Sequence, residues 1–573
     1  MVVYREDRGV GIIEFNDPNS RVNVLSVKNL NALERIIDDV ENNTGNIKGL
    51  FFVSGKSGIF IAGADIKELA VIRTKEEALE LCKKGQELFN RIERLAMPSF
   101  AIVGGACVGG GMELALACDY IIAIDSKRAR FSLPEINLGI IPGFGGPHRL
   151  ARRIGESRAK KLMDTGEFIG AKEAKRLGIV DRIIPGSKKI PYSGLLKTYP
   201  YSRNLKNMTA ADEYERNVLA KKIFQEEAKN ALSSYLLSRN VRGLASNSAD
   251  LKHCVIAGAG TMGMGIAYLI NSRTGISVDI FDRDEKVLKN AVVRIKDIYK
   301  EATNLDLYTK EETARKIKNI VFGKPLFNNA DIFIEAITED ISKKKTFLSD
   351  VEKKIRKDAM LATNTSCISI EELSGSLSDA SRFLGLHFFN PAYKMKLVEV
   401  ILSSSTGKAT LDSAMGLLRR LDRTAIVVKD SPGFLVNRML LPYLNEAVFM
   451  VMDGFSPEDI DNVMLEFGMP VGPLKLIKDI GPEVAYRAGK ILEDNFGDRL
   501  KVPDIIRSDF TGKQGLFSRH KALPRDAVKR LLFPMKREAE LCLKEKLVPG
   551  RGSVDLALIL GIGYPRTKRI WTA

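Results

Sequence analysis

A short run of glycines after an apolar, strand-like segment constrains the fold of this chain more than any other feature. The segment Cys254–Ala257 leads into Gly258–Gly263, in which glycine stands at the first, third and sixth positions, and an apolar helical pattern follows. A second strand-like segment, Ile276–Phe281, is followed directly by Asp282, nineteen residues after the last of these glycines. Strand, glycines, helix, strand and acid at this spacing are the fingerprint of a βαβ unit that binds a dinucleotide.

The residues of this fingerprint have separate roles. Gly258, Gly260 and Gly263 allow the tight turn and the close approach of a pyrophosphate, and Asp282 binds ribose hydroxyls. A carboxylate repels the 2′-phosphate of NADP, so NAD is the expected cofactor, although the neighbouring Arg283 weakens that preference. We therefore predict a Rossmann-type NAD-binding domain.

The length of the chain requires more than this one domain, because 573 residues are too many for a single hydrophobic core. The hydrophobic share of 45% and the charged share of 28% are typical of globular proteins. No segment has the ~20 consecutive apolar residues that a membrane-spanning helix needs, and the N-terminus has no export signal. Six cysteines without metal-type spacing predict free thiols in a reducing compartment, with neither a metal site nor a disulfide framework.

The net charge of +17 favours anionic partners, which are nucleic acid, an acidic membrane surface or phosphorylated small molecules such as coenzyme A and dinucleotides. Lysines and arginines are interspersed with acids, as in Lys544-Glu545-Lys546, and no basic stretch is interleaved with aromatic residues as in single-strand binders. We therefore expect most of these charges to be solvated surface, and we expect no nucleic acid partner.

Hydrophobic patterns divide the chain into four segments. In 1–187, strand-like runs such as Phe100–Val103 alternate with helical patterns, which predicts an α/β layer domain. Residues 188–250 begin with prolines and serines and continue into the charged helical pattern Ala210–Leu237, which predicts a linker with one long helix. Residues 251–429 form the second α/β region, which contains the glycine fingerprint.

The last segment, 430–573, is predicted to be helical, because the strand pattern disappears beyond Pro432. Within it, Pro442–Ala447 is echoed by Pro534–Ala539. This weak repeat predicts two similar all-α units.

Two glycine-containing turns in the first domain are suited to hold a negatively charged oxygen. Ile61–Ile66 follows one strand-like run, and Val108–Leu114 opens a helix after another. Glycines let the backbone approach a ligand, and the N–H groups of Ala64 and Gly110, with the positive end of the helix dipole, would form an oxyanion hole. Taken alone, a glycine run of this kind usually marks only a tight turn.

Two glutamates accompany these turns. Glu113 falls in the first turn of the helix, and Glu135 ends the extended run Phe131–Glu135. A glutamate in a first helical turn more often compensates the helix dipole. Together and in this order, the turns and the glutamates closely resemble the enoyl-CoA hydratase (crotonase) family across the whole first segment.

This resemblance implies a crotonase-type ββα spiral domain in which Ala64 and Gly110 hold a thioester carbonyl. It implies that Glu113 and Glu135 add water to a trans-2-enoyl-CoA and give the (3S)-hydroxy product. Relatives that only isomerise double bonds commonly keep the equivalent of Glu135 alone, so hydration is favoured, with 3-enoyl-CoA isomerisation as a side activity. The chain departs from the family at Pro147-His148, where Thr-Gln usually follows the glycines.

A second chemical site is indicated by His387, which ends an apolar strand-like run and precedes Glu399 by twelve residues. A lone histidine is more often structural, and Glu399 by itself would be a surface acid at a strand end. A histidine oriented by a carboxylate can, however, take a hydroxyl proton while hydride leaves the same carbon for a nicotinamide. The two residues together are consistent with a dehydrogenase.

Asn364–Ser366, the segments around His387 and Glu399, and Asp430–Arg438 closely resemble 3-hydroxyacyl-CoA dehydrogenases from about residue 252 onward. This resemblance implies that His387 is the general base in oxidation and that Glu399 orients it.

Four further residues have roles only through this second resemblance. It implies that Ser366 and Asn437 position the oxygens of the substrate, and that Glu339 and Lys344 lie near the cofactor. Without it, Ser366 and Asn437 would be turn and cap residues.

The order of the two halves is similar to the multifunctional β-oxidation proteins of bacteria and peroxisomes. The resemblance implies NAD as cofactor, acyl-CoA thioesters as substrates with coenzyme A as part of them, a thiolase subunit as a further partner, and a monomer or homo-oligomer. The chain lacks a C-terminal Ser-Lys-Leu, so we expect a cytoplasmic location. The alternative is a non-catalytic scaffold that binds coenzyme A or nucleotides, or an RNA-binding protein with the crotonase fold, and the full set of reactive side chains weighs against it.

Overall fold

The computed structural model describes residues 1–42, 47–186, 190–199, 209–243, 251–305, 307–323, 325–507 and 521–572. The chain divides into two units, the first comprising Met1–Leu236 with Ala302–Thr309 and the second Leu237–Glu301 with Lys310–Ala573. Among the described residues, no helix is long and apolar enough to span a bilayer.

The strands of the first unit are β1 (Val2–Asp7), β2 (Val10–Phe15), β3 (Gly49–Ser54), β4 (Ile59–Ile61), β5 (Ser99–Val103), β6 (Ala106–Val108), β7 (Tyr120–Asp125), β8 (Arg130–Ser132), β9 (Ile169–Gly170) and β10 (Arg182–Pro185). They form a six-stranded sheet in the order β1-β2-β3-β5-β7-β10 and a four-stranded sheet in the order β4-β6-β8-β9. β3, β5 and β7 run parallel in the first sheet, and β4, β6 and β8 run parallel in the second. From β3 to β8, consecutive strands therefore alternate between the two sheets, as in the predicted ββα spiral.

The helices of the first unit are α1 (Val27–Asn42), α2 (Ile66–Val71), α3 (Lys75–Glu93), α4 (Gly110–Ala117), α5 (Gly146–Ile154), α6 (Glu156–Thr165), α7 (Ala171–Leu177), α8 (Tyr192–Thr198), α9 (Thr209–Lys222) and α10 (Glu226–Gly243). Every residue of α4 is buried, because its sequence is apolar apart from Glu113. The helix therefore carries one ionisable side chain into the interior of the unit.

The predicted single helix over Ala210–Leu237 is wrong, because α9 and α10 are separated by a turn at Ile223–Gln225. Apolar residues on both sides of this turn pack in one hydrophobic cluster of the first unit: Leu219, Ala220, Ile223, Ala228 and Leu232. The second half of one straight helix would point away from that cluster. The turn lets α10 pack against the same cluster as α9. Residues 188–189, 200–208 and 244–250 of the predicted linker lie outside the described residues.

The strands of the second unit are β11 (His253–Ala257), β12 (Ser277–Phe281), β13 (Ile320–Phe322), β14 (Ile332–Glu335), β15 (Met360–Thr363), β16 (Phe383–Phe388), β17 (Leu397–Leu402) and β18 (Thr424–Lys429). They form one sheet in the order β13-β12-β11-β14-β15-β16-β17-β18. Its strands pair in parallel except β16 and β17, which are antiparallel. The sheet is the predicted Rossmann-type sheet, and the antiparallel pair sets His387 directly opposite Glu399.

The helices of the second unit are α11 (Thr261–Thr274), α12 (Glu285–Asn304), α13 (Lys310–Lys318), α14 (Ile341–Glu352), α15 (Ile370–Ser374), α16 (Lys408–Arg420), α17 (Val436–Met452), α18 (Pro457–Phe467), α19 (Pro473–Ile480), α20 (Pro482–Phe496), α21 (Ala527–Lys544) and α22 (Arg551–Ala557). Among the described residues, the elements after β18 are helical, as predicted.

α17 and α21 are the equivalent helices of the two repeated helical units. Each presents an arginine to two acids at matching positions of the other repeat: Arg438 pairs with Glu538 and Glu545, and Arg530 pairs with Glu446 and Asp453. Such a reciprocal exchange is the pattern of a two-fold-related interface. The weak sequence repeat is therefore reproduced in the contacts between the two helices.

Candidate active sites

Two backbone N–H groups lie side by side where the loops after β4 and β6 meet. Gly63 and Gly109 have φ values of +102° and +55°, a region that favours glycine. A Cβ placed on Gly110 would lie 3.4 Å from the nitrogen of Ala64. Neither the Ala64 nor the Gly110 N–H donates in the backbone hydrogen bonds of the described loops and turns. The two N–H groups therefore lie close together, and their role as an oxyanion hole stays a prediction.

Glu113 is held by the loop that leads into α5. Its Oε1 accepts hydrogen bonds from the backbone N–H groups of Phe144 (2.8 Å) and Gly146 (2.9 Å). The residue is 2% exposed, and this burial raises the pKa of Glu113 to about 7, against the two backbone hydrogen bonds, which favour the anion. The Glu113 carboxyl therefore accepts hydrogen bonds from the loop before α5 and from the first residue of α5, and it does not compensate the dipole of α4.

Glu135 starts a short 3-10 helix, Glu135–Leu138, so the predicted extended run is wrong at its last residue. The chain already turns at Pro134, whose ψ is 20°. A Cβ on Gly109 would lie 2.7 Å from Glu135 Oε1, so the carboxyl rests against the backbone of that glycine. Among the described residues, Glu135 Oε2 is buried without a hydrogen-bond partner. Burial, followed by the charge of Glu113, raises the pKa of Glu135 well above its ordinary value.

Glu135 and the two N–H groups lie at the turn Gly109-Gly110, and Glu113 lies in the first turn of the helix that follows it. Glu113 accepts two backbone N–H bonds, whereas Oε2 of Glu135 has no hydrogen-bond partner among the described residues, and burial raises the pKa of both carboxyls. Hydrogen bonds to the charged form favour the anion, so these two carboxyls stand in different environments, as a base and an acid require. The arrangement can therefore move protons at a substrate whose carbonyl oxygen is held by the N–H pair.

Sequence reasoning missed Glu215, which α9 contributes to the same region. Glu215 is 4% exposed, and its Oε1 lies 3.1 Å from Nδ1 of His148 in α5. The negative charge of Glu215 contributes, after burial, to the raised pKa of Glu113. The helix α9 belongs to the predicted linker, and no local motif surrounds Glu215. The only sequence signal near Glu215 was the departure from the crotonase family pattern at His148.

The glycine fingerprint forms a loop between β11 and α11. A Cβ on Gly258 would lie 2.3 Å from the carbonyl oxygen of Ala336, and one on Gly263 would lie 1.9 Å from the oxygen of Gly258. At Gly260, in contrast, a Cβ would meet no heavy atom within 4 Å. Two of the glycines thus serve close backbone packing, and the third borders open space at the N-terminus of α11, where a pyrophosphate binds.

Asp282 lies against this loop at the end of β12. Its Oδ2 accepts a hydrogen bond from the backbone N–H of Ala259 (2.9 Å), and its Oδ1 accepts one from Asp284 (3.0 Å). The carboxylate therefore stands beside the glycine turn, where a ribose bound to the pyrophosphate would meet it. Open loop, helix N-terminus and acid together fit NAD.

His387 and Glu399 form a buried pair across the antiparallel strands β16 and β17. Nδ1 of His387 lies 2.6 Å from Oε2 of Glu399, and a carboxylate can only accept, so Nδ1 carries the proton and Nε2 is the basic atom. Glu399 is fully buried, and its Oε1 accepts the N–H groups of Leu435 (3.1 Å) and Val436 (2.9 Å) where α17 begins. It is therefore an interior acid rather than a surface one.

Ser366 and Asn437 are brought together although they lie far apart in the sequence. The amide Nδ2 of Asn437 donates to the backbone oxygen of Ser366 (3.1 Å). Glu339 Oε1 accepts hydrogen bonds from the N–H (2.7 Å) and the hydroxyl (3.1 Å) of Ser366. Glu339 thus orients Ser366, a contact that its predicted role near the cofactor did not include.

Lys344 is 1% exposed and lies beneath these residues. Its Nζ binds Glu335 (2.7 Å) and approaches Glu339 (3.4 Å). Glu335, which sequence reasoning missed, is fully buried and also accepts the hydroxyl of Thr363 (2.6 Å). Lys344 therefore contacts both glutamates and supports Glu339. The only sequence signal for Glu335 was that it is the acid at the end of strand β14.

Family models match three consecutive parts of the chain. Residues 5–191 match the enoyl-CoA hydratase/isomerase family. Residues 253–431 match the NAD-binding domain of 3-hydroxyacyl-CoA dehydrogenase, and residues 433–515 match the C-terminal domain of the same family.

Curated relatives match nearly the whole chain. The fatty acid oxidation complex subunit alpha of Vibrio cholerae serotype O1 is 30% identical over 96% of this chain and 90% of the relative. The protein of the same name from Vibrio parahaemolyticus is 29% identical over 98% of this chain and 91% of the relative. Among solved structures, 3-hydroxybutyryl-CoA dehydrogenase from Escherichia coli K12 covers 55% of this chain with a TM-score of 0.50 at 21% identity, which is a likeness of fold.

Proposed function

This chain belongs to the family of fatty acid oxidation complex alpha subunits, and on that premise we propose which residues perform its two consecutive steps of β-oxidation. The chain is an enoyl-CoA hydratase joined to an NAD-dependent 3-hydroxyacyl-CoA dehydrogenase. We assign hydration to Glu113 and Glu135, and oxidation to His387 and Glu399. The observation that carries the assignment is the pair of buried carboxyls, of which Glu113 accepts two backbone N–H bonds while Glu135 rests against Gly109 with its Oε2 unpartnered.

In the hydration step, Glu113 takes a proton from water and Glu135 gives one to the α-carbon. The water oxygen bonds to the β-carbon while the electrons of the double bond move towards the thioester oxygen. The N–H groups of Ala64 and Gly110 stabilise the charge on that oxygen. The hydrogen bonds of Glu113 favour its anion, and the unpartnered Oε2 of Glu135 favours the proton, which supports these two roles.

In the oxidation step, Nε2 of His387 takes the proton of the 3-hydroxyl. Bound NAD supplies the acceptor for the hydride that leaves the same carbon. Glu399 stabilises the imidazolium that forms and keeps Nδ1 protonated, in the manner of the acid in a catalytic triad. Ser366 and Asn437 bind the oxygens of the substrate, while Gly258, Gly260, Gly263 and Asp282 hold the dinucleotide, with Glu339 and Lys344 nearby.

Crossed variants test these assignments with crotonyl-CoA, 3-hydroxybutyryl-CoA and NAD. Glu135→Gln should abolish NADH formation from crotonyl-CoA but retain it from (3S)-3-hydroxybutyryl-CoA. His387→Gln should retain loss of the enoyl-thioester absorbance but form no NADH from either substrate. Each variant is the folding control for the other, and a Glu135→Gln chain that still hydrates crotonyl-CoA would contradict the first assignment.

The finer features of the chain are proposals of the same kind. We propose domain limits at residues 187, 250 and 429, a cytoplasmic location, and a side activity as 3-enoyl-CoA isomerase. The relatives are named as one subunit of a complex, and the 3-ketoacyl-CoA product must next be cleaved by coenzyme A. We therefore propose a thiolase as the partner. Co-migration of the chain with a thiolase on size-exclusion chromatography tests this, and the same column reports whether the chain alone is a monomer or a homo-oligomer.

A further inference from the structure

A second buried polar pair lies next to the proposed base of the hydratase. Glu215 of α9 is 4% exposed, whereas its neighbours Glu213 and Tyr214 are exposed. Its Oε1 lies 3.1 Å from His148 Nδ1, and among the described residues its Oε2 is buried without a hydrogen-bond partner. A buried carboxylate with one unpartnered oxygen lowers stability, so a role in packing does not account for it.

The first turn of α5 connects this pair to Glu113. Gly146, the first residue of α5, donates its N–H to Glu113 (2.9 Å), and His148, two residues later, lies beside Glu215. The next turn of α9 closes the same region, because a Cβ on Gly143 would lie 2.4 Å from Leu219 Cδ1. The helix α9, which lies in the predicted linker, thus places the Glu215 carboxylate beside the helix that holds Glu113.

The charged and titratable groups that face Glu113 come from every element around it. Glu135 lies on the 3-10 helix, His148 and Arg149 on α5, Cys82 on α3, and Glu215 on α9. Arg149 also holds the carbonyl of Phe144 (2.7 Å), whose N–H binds Glu113. Burial is the largest cause of the raised pKa of Glu113, and the negative charge of Glu215 adds to it while Arg149 opposes it.

We propose that Glu215, held in place by His148, is a positioning residue for hydration that sets the pH range in which Glu113 acts as base. The proposal rests on the assignment of Glu113 as the base of the proposed function. Glu215 acts on that base through its negative charge, across the first turn of α5, and does not touch the reacting atoms. His148 holds the carboxyl in place through the contact between Nδ1 and Oε1.

The pH dependence of kcat for hydration of crotonyl-CoA tests this proposal in the full-length chain. Glu215→Gln removes the charge at nearly constant shape, so the acidic limb should move to lower pH by about half a unit or more. His148→Leu removes the contact that holds the Glu215 carboxyl in place and should move the limb in the same direction. His148→Gln keeps an N–H donor and should restore the wild-type limb.

Asp119→Asn is the matched control, because Asp119 is an acid of the same unit that accepts the N–H of Ser99 (2.8 Å) away from Glu113. It should leave the limb in place. A limb that stays in place or moves to higher pH in Glu215→Gln, with plateau kcat retained, overturns the proposal while leaving the hydratase assignment intact. A folded wild type that does not hydrate crotonyl-CoA overturns both.

Discussion

Replacing Glu399 by Gln should disable the dehydrogenase with little change in shape. Glu399 accepts the N–H groups of Leu435 and Val436 through Oε1 and the Nδ1 proton of His387 through Oε2. An amide oxygen can keep the two backbone bonds, but the amide NH2 then faces Nδ1 and cannot accept from it. The imidazole must change tautomer, and Nε2 then carries a proton and no longer acts as a base.

The expected loss follows from the value of general base catalysis, which is about 10²–10⁴ in rate. We therefore expect kcat for oxidation of (3S)-3-hydroxybutyryl-CoA to fall by roughly that factor, or about 3–5.5 kcal/mol in activation free energy. Loss of a charge-assisted hydrogen bond should also lower the free energy of unfolding by about 1.5–3 kcal/mol.

NADH formation from (3S)-3-hydroxybutyryl-CoA measures the effect, and hydration of crotonyl-CoA by the same chain serves as an internal control. Glu352→Gln is the matched variant, since Glu352 is a buried acid of the same unit that accepts the N–H groups of Ser378 and Asp379 (both 2.8 Å). It should lower stability without lowering kcat. Wild-type kcat in a folded Glu399→Gln chain would refute the role given to the pair.

Four further outcomes are expected. Because Glu113 must be ionised and Glu135 protonated, hydration should rise as pH increases through about 7 and fall again where Glu135 loses its proton, as a pH profile of kcat would record. Burial raises the pKa of Glu113, so the folded chain binds more protons than the unfolded chain between the ordinary carboxyl pKa and about 7. The free energy of unfolding therefore falls as pH rises through that window. Glu113→Gln should raise the melting temperature above pH 7 more than it does below the window. Gly260→Ala should weaken NADH binding in a fluorescence titration without loss of stability. Gly263→Ala should instead lower the free energy of unfolding by about 1–3 kcal/mol, because its Cβ would lie 1.9 Å from a backbone oxygen. Arg438→Met should destabilise the chain by about 3 kcal/mol in denaturant titrations, because it removes the buried partner of Glu538 and leaves that carboxylate only the longer contact with Arg499 (3.4 Å). Arg530→Met, at a partly exposed pair, should cost about 1 kcal/mol or less.

Motifs that depend on neighbouring residues were predictable from the sequence. The spacing from Gly258 to Asp282 predicts strand, turn, helix and strand, since each glycine meets a local steric requirement. The apolar run after Gly109 likewise predicts a buried helix with Glu113 in its first turn. The two families whose models match the chain were recognised from such motifs and their order.

Contacts between residues far apart in the sequence were harder to predict. The linker pattern predicted one helix because helical periodicity alone does not mark the turn at Ile223–Gln225, which is set by packing against the first unit. Glu335 resembles any strand-end residue until Lys344 and Thr363 are seen against it.

By itself the sequence determined the class of each element, the glycine turns and the identities of the reactive side chains, because these depend on short-range sterics and on chemistry that a residue carries anywhere. Only the tertiary structure decided that Glu399 is an interior partner of His387, that Glu113 accepts two backbone N–H bonds while Glu135 keeps one oxygen unpartnered, and that α9 places Glu215 beside His148. These features depend on burial and on strand register, which arise when segments far apart in the chain pack together.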